Sequence, residues 1–242
     1  MSDKANPRQR LKKNRMRPLV ALKALRTLIN DPERTELVFV IIKAMSGNSL
    51  EKSFDRFSKT GTGKQILAEQ RHLLGTLQNQ AALRQMNANS LGRHYLDFVE
   101  SEQITADGLV EASQTDDLIQ DPELRLFAER MRDSHDLWHV VTGYGRDTFG
   151  EACLLAFTYA QTQNRGLGII TLVGMIKIAR QLGPEVKKAV WQAYRAGKLA
   201  SWLPAQDWES LLHRPIEDVR QLLGIYPPVK YQQVFEQYAL QG

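Results

Sequence analysis

Apolar residues in this chain recur every three or four positions over most of its length, and alternating strand-like runs are nearly absent. After Pro18, the positions Leu19, Leu22, Leu25, Leu28 and Ile29 form one stripe. Asp31-Pro32 then reads as a helix cap followed by a first-turn proline, opening a helix through Leu37, Phe39 and Ile41 that ends near Gly47. Asn48 or Ser49 can cap a helix with Leu50, Phe54 and Phe57 inward, and Thr62 can cap one carrying Ile66 and Leu67. One further helix is predicted over Leu74 to Met86, and another over Leu91 to Ile104. Asp121-Pro122 repeats the Asp-Pro start, and a single stripe runs from Leu124 through Met131, His135, Trp138 and His139 to Thr142. Gly143-Tyr144-Gly145 ends that helix, and Asp147 or Thr148 can cap the next, in which Glu151, Leu154, Leu155 and Thr158 share a face. Helices from Gly168 to Leu182 and from Pro184 to about Lys198 follow, then a pair around Trp208 and Val219. The pattern predicts an all-α chain: a basic flexible arm at 1–17 and a single multi-helix bundle domain at 18–242.

Composition sharpens this picture in two places. Cys153 is the only cysteine, which excludes an internal disulfide and a thiolate metal cluster. The net charge of +5 is uneven: residues 1–30 carry nine basic side chains against Asp3 alone, a local +8 that leaves −3 for the rest. The globule itself is therefore not basic, and no nucleic-acid partner is expected. A basic arm beside an amphipathic helix suits an anionic membrane surface, at roughly 1 kcal/mol per basic residue near that surface. Residues 1–18 lack the apolar stretch of a secretory signal. The arm is Arg-rich as transit peptides are, but Pro7 and Pro18 bracket it. The longest apolar runs, Leu37–Ile42 and Leu167–Ala179, are too short to span ~30 Å of hydrocarbon.

The chemistry concentrates in His135-Asp136-Leu137-Trp138-His139 followed by Glu151. Imidazoles four residues apart share one helix face, and here they occupy positions of the buried stripe. A short glycine turn between antiparallel helices brings Glu151 back beside them. His135, His139 and Glu151 thus form a three-point divalent-metal site with room for another ligand. Asp136 lies about 100° around the helix from His135, so it is a fourth ligand, a residue orienting an imidazole, or an acid/base group. The metalloprotease arrangement is not present, which disfavours peptide hydrolysis. Two histidines on a helix can also be plain hydrogen-bonded core residues, but an inward carboxylate beside them weighs against that. Two histidines and a carboxylate suit zinc and also ferrous iron.

Other signals carry less. Gly61-Thr62-Gly63-Lys64 lacks the glycine and hydroxyl residue of a phosphate loop and reads as a helix start. Cys153 reads as a small core residue, and His72, His94 and His213 as solvated or locally bonded. The run Gly166 to Ile176 places small residues on a very apolar helix. It reads first as close helix packing, and secondly as the wall of an apolar groove for an acyl or prenyl chain, with Leu37–Ile42 opposite.

These residues together resemble the coenzyme Q biosynthesis protein four family (Coq-four). The likeness rests on the His135–His139 segment with Glu151, on Leu91-Gly92 with Tyr95 and Phe98, on Asp121-Pro122, and on a block from Asp207-Trp208 to Leu223-Gly224-Ile225. It spans roughly residues 18–228. The resemblance implies an all-helical protein of ubiquinone biosynthesis, with a zinc-type ion at His135, Asp136, His139 and Glu151. It implies a metal-dependent oxidative decarboxylase, a lyase-type enzyme replacing the ring carbon 1 carboxylate of a polyprenylated 4-hydroxybenzoate-type quinone precursor by hydroxyl, with Asp136 and Glu151 as catalytic residues. Other ubiquinone-biosynthesis enzymes and the membrane surface are implied partners, and a homodimer is expected. The alternative is a non-catalytic prenyl-lipid-binding scaffold whose metal is structural. The expected location is peripheral to the inner membrane, on the cytoplasmic face in a bacterium or the matrix face in a mitochondrion.

Overall fold

The computed structural model describes residues 15–30, 34, 36–102 and 119–239. Among these the regular structure is fifteen α-helices and one short 3-10 turn, with no strand, as the periodicity predicts. A hairpin of α1 (Pro18–Asn30) and α2 (Glu36–Ser46) comes first. The short helices α3 (Ser49–Phe57), α4 (Gly61–Glu69), α5 (Leu73–Gln78), α6 (Gln80–Gln85) and α7 (Leu91–Ser101) follow. Next come α8 (Pro122–Asp133), α9 (His135–Thr142), α10 (Thr148–Thr162), α11 (Arg165–Leu182) and α12 (Glu185–Leu199). The order ends with α13 (Trp208–Leu211), α14 (Ile216–Leu223) and α15 (Val229–Ala239).

Helix α10 is central. It packs along α12 and α11, α2 lies on α11, and α9 sits between α7 and α14. Leu137, Trp138 and Val141 of α9 meet Phe149, Leu154 and Phe157 of α10 in the main core, where Trp138 stands edge-on to Phe157 at 6.3 Å. Each such side chain contributes about 1.5–3 kcal/mol on burial, so the hairpin that bears the candidate ligands is anchored by its own apolar faces. The first amides of α7 are satisfied from outside: Leu91 and Gly92 donate to Arg214 and Leu212 carbonyls at 2.8 and 2.9 Å.

Several caps sit where the sequence places them. Asp121 Oδ1 accepts from the amides of Glu123 and Leu124 at 3.1 and 3.2 Å, with Pro122 opening α8. Other boundaries differ. Thr60, not Thr62, caps α4, because Thr60 is extended while Gly61 and Thr62 are already helical; its Oγ1 accepts from Gly63 N at 2.9 Å. Asn48 flanks α3 without a side-chain cap bond. Leu74 to Met86 is two helices rather than one, since Asn79 leaves the helical region and caps α6 by accepting from Ala82 N at 3.1 Å. The stripe from Leu124 to Thr142 is likewise interrupted at Ser134, whose hydroxyl turns back to the Met131 carbonyl at 3.3 Å and competes with the backbone ladder. Helix α15 was not legible from the pattern. The Asp31-Pro32 start and Ile104 lie outside the described residues, as does the arm through residue 14.

The glycine-rich helix α11 packs closely. A Cβ on Gly166 would lie 2.5 Å from Ile42 Cα, so α2 presses directly on α11 at that point rather than facing it across a groove. A groove of about 780 Å³ does open beside this contact, lined among others by Ile42, Leu50, Phe127, Met131 and Leu167, with Arg15, Arg17 and Lys43 at its edge.

Candidate metal centre

The site is built on the α9–α10 hairpin. Gly143 ends α9 in the left-handed region (φ 75°), which glycine adopts without strain. Asp147 Oδ1 accepts from Phe149 and Gly150 amides at 3.0 Å each and starts α10, so Glu151 stands in its first turn. From α14, Arg220 donates to the carbonyls of Val140 and Val141 at 3.0 Å each, satisfying main-chain acceptors at the end of α9.

His139 is the inner residue. Its side chain is fully buried and stacks on Phe98 with ring centroids 5.6 Å apart. Nδ1 donates to the Tyr144 carbonyl at 2.9 Å, which in the neutral ring puts the proton on Nδ1 and leaves a lone pair on Nε2. Nε2 is buried and makes no hydrogen bond, yet Glu151 Oε1 lies 3.2 Å away. Two lone-pair atoms held face to face call for a proton or a cation between them. Two ligands of a tetrahedral ion at 2.0–2.2 Å stand about 3.3 Å apart, close to the gap observed. A neutral core histidine would find a donor for its second ring nitrogen, and here that nitrogen faces a carboxylate oxygen instead.

His135, Asp136 and His139 each offer one ligand atom, all within 4.8 Å of one another. Ligands of one tetrahedral ion stand about 3.3–3.6 Å apart, so the group is wider than a coordinating set and side-chain rotation is needed to close it. His135 is the residue free to rotate. Contrary to the inward stripe predicted for both histidines, its side chain is 42% exposed, because it is the first residue of α9 at the rim. Its ring stands edge-on to that of His139 at 4.9 Å, and its Nδ1 is 3.5 Å from Asp136 Oδ1. Asp136 is buried. Burial pushes its carboxyl up, but the His135 contact and the charges of His135, His139 and Arg146 outweigh this and hold it below the usual carboxylate range. Tyr95 beside it stays a neutral phenol, pushed up by burial and by the Asp136 and Asp133 carboxylates. The structure thus groups His135, Asp136 and His139, with His135 at the mouth, while Glu151 meets this group at His139 and is not one of its three members.

Sequence reasoning missed the Tyr144 carbonyl that fixes the His139 tautomer and the Phe98 ring that covers it. A main-chain acceptor leaves no trace in the residue pattern, whereas Phe98 lay on a helix already read as amphipathic. Cys153 is fully buried with its thiol pushed up by burial, as expected of a core residue. His72 pairs with Glu129 at 3.1 Å on the surface.

Residues 8–229 match the family described as Coenzyme Q (ubiquinone) biosynthesis protein Coq4. The chain is 30% identical over 200 residues to the mitochondrial ubiquinone biosynthesis protein COQ4 homolog of Aedes aegypti, covering 81% of this chain and 70% of that one. It is 28% identical over 210 residues to the mitochondrial COQ4 of Yarrowia lipolytica, covering 84% and 77%. The fold is similar to a crystal structure from Nostoc punctiforme of a candidate ubiquinone biosynthesis protein, with TM-score 0.63 and 20% identity over 87% of this chain and 99% of that one. With a buried imidazole and a carboxylate converging on one point of an all-helical hairpin, and a family match across nearly the whole described length, this chain belongs to the Coq4 family of ubiquinone biosynthesis proteins.

Proposed function

We propose that this protein is a metal-dependent enzyme that removes the ring carbon 1 carboxylate of a polyprenylated 4-hydroxybenzoate-type intermediate and leaves a hydroxyl in its place. The observation that carries this reading is the buried, unbonded Nε2 of His139 facing Glu151 Oε1 at 3.2 Å. His135, Asp136, His139 and Glu151 would hold a divalent ion, zinc by its preference for imidazole and carboxylate, with ferrous iron as the other candidate. Bound there, the ion would act as a Lewis acid toward the carboxylate or phenolate oxygens of the head group. Zinc is redox-inert, so the incoming oxygen would come from dioxygen reacting with the electron-rich ring. The carboxylate would leave as carbon dioxide and the second oxygen atom as water, with two electrons and two protons from an external two-electron reductant. Asp136, kept ionised by its neighbours, is placed to move the proton.

Openness favours turnover over a purely structural ion. Structural sites are closed, whereas here His135 and Glu151 are 42% and 34% exposed, so a substrate oxygen could join as a fifth ligand or take the place of His135 at the mouth. The 780 Å³ groove offers the prenyl tail apolar walls up to Met131, one helical turn before His135, at ~0.8 kcal/mol per buried CH₂. Peripheral membrane attachment is supported by exposed Leu19, Leu22 and Phe39 near Arg15, Arg17 and Lys43, and among the described residues no helix is long and apolar enough to cross a bilayer. Exposed Trp191, Tyr226 and Phe235 offer a surface to a second copy or to other enzymes of the pathway.

The test is elemental analysis and lipid mass spectrometry of the purified full chain, followed by Glu151→Gln and His139→Ala. Co-purifying metal and isoprenoid are expected, with variants that stay folded and bind lipid but do not turn over. A protein that takes up neither ion nor isoprenoid after reconstitution defeats the proposal. Variants that unfold on loss of a ligand point instead to the scaffold with a structural metal.

A further inference from the structure

Helix α15 reaches back to the turn that joins α9 to α10. Its Tyr231 is buried, and the phenol is bonded on both sides of that turn. The hydroxyl donates to Asp147 Oδ2 at 2.6 Å and accepts from the Gly145 amide at 3.2 Å. The other carboxylate oxygen of Asp147 is the one that caps α10. A single phenol therefore ties the middle of the turn to the first residues of the helix that presents Glu151. The ring adds its own contacts, edge-on to Tyr144 with centroids 5.5 Å apart and tilted against Phe149 at 5.0 Å. Tyr144 is the residue whose carbonyl holds His139 Nδ1.

Both sides of the His139–Glu151 gap are thus referred to one side chain from a distant helix. A Cβ on Gly145 would lie 2.8 Å from both the Tyr231 hydroxyl and Asp147 Oδ2, so this junction has no slack. The family match ends at residue 229, where α15 begins, so the brace lies outside the pattern that carries the ligands.

We infer, resting on the metal reading above, that Tyr231 is a positioning residue for the metal centre, holding the Tyr144–Asp147 turn so that His139 Nε2 and Glu151 Oε1 stay one ion apart. Groups behind the ligands typically change metal affinity 10–100-fold when removed.

Tyr231→Phe keeps the ring and its packing and removes only the hydroxyl. Full-length wild type and variant, both metal-free, are titrated with Co²⁺, whose visible absorption reports the ligand set. The Kd for Co²⁺ is expected to rise about tenfold, with a melting transition that stays single and cooperative. Tyr238→Phe, at a residue 58% exposed, is the control and changes neither. In the metal-free proteins, hydrogen exchange of the Gly145 amide is expected to quicken about tenfold or more in Tyr231→Phe, because its acceptor is gone. If Tyr231→Phe does not melt cooperatively, Asp147→Ser keeps a capping oxygen, removes the acceptor of the phenol and carries the same expectation. Unchanged Co²⁺ affinity overturns the inference, whether or not Gly145 exchange changes. A wild-type protein that takes up no Co²⁺ removes the metal reading and the positioning role with it. Affinity lost in Tyr231→Phe while wild type binds leaves the metal reading intact and supports the brace.

Discussion

Replacing Gly150 with alanine is expected to damage the metal centre without touching a ligand. A Cβ at Gly150 would lie 2.1 Å from the Gly145 carbonyl oxygen and 2.7 and 2.8 Å from the carbon and nitrogen of the same residue. All three are backbone atoms, so no rotamer change relieves the overlap. Real Cβ contacts stay beyond 3.0 Å, so the start of α10 and the turn must part by about 0.9 Å. Overpacking of this kind costs about 1–3 kcal/mol, which in a domain of this size lowers Tm by roughly 2–4 °C per kcal/mol. Glu151 is the next residue, and a shift of that size along the line to His139 widens the 3.2 Å gap beyond the about 3.3–3.6 Å that two ligands of a tetrahedral ion span. Zinc affinity, measured by competition with a chromogenic chelator, is then expected to fall about tenfold or more. Gly174→Ala is the control, since nothing lies within 4 Å of its Cβ position, and helix propensity predicts a gain of up to about 1 kcal/mol. A Gly150→Ala protein with wild-type Tm and wild-type zinc affinity would refute the claim that this backbone contact sets the ligand spacing.

Three further expectations concern the frame around the site. Gln161 is buried, donates to the Gly197 carbonyl at 2.6 Å and accepts from the Leu203 amide at 2.8 Å; Gln161→Leu strands both groups and is expected to cost about 3 kcal/mol, read as a lower urea midpoint with unchanged slope. Asp207 is pushed up by burial, but Ser210 and Arg71 together hold it below the usual carboxylate range. Its contribution is therefore present above about pH 4 and is lost as pH falls through its lowered folded value, so melting scans down the acid limb should show a shallower loss in Asp207→Asn than in wild type. An equal slope would remove that role. Cys153, fully buried with its thiol pushed up, is expected to stay inert to a thiol reagent until the protein unfolds, and rapid labelling of the native state would contradict the packing described.

Where a side chain both caps and starts a helix, the sequence was readable: Asp121-Pro122 and Asp147 announce α8 and α10, and the glycine turn between α9 and α10 brings the first turn of α10 back to His139. That local logic is why the meeting of His139 and Glu151 could be anticipated. Ser134 and Asn79 were not readable as breaks, because the apolar period passes through each of them undisturbed while a side-chain hydrogen bond rearranges the backbone. Helix α15 was missed because only Tyr231 and Val234 face the core, too few to make a stripe, while Phe235 and Tyr238 point outward. The exposure of His135 follows from its place at a helix start, which could not be known before the break at Ser134 was seen.

All four candidate ligands fall between positions 135 and 151, and closing so short a loop costs little chain entropy. Such a segment can gather its donors soon after it emerges from the ribosome, before α11 to α15 exist. The phenol that braces the turn comes from the last of those helices. Loading and locking would then be separate events in the life of the chain, with the cation able to enter a nascent hairpin before Tyr231 has been made.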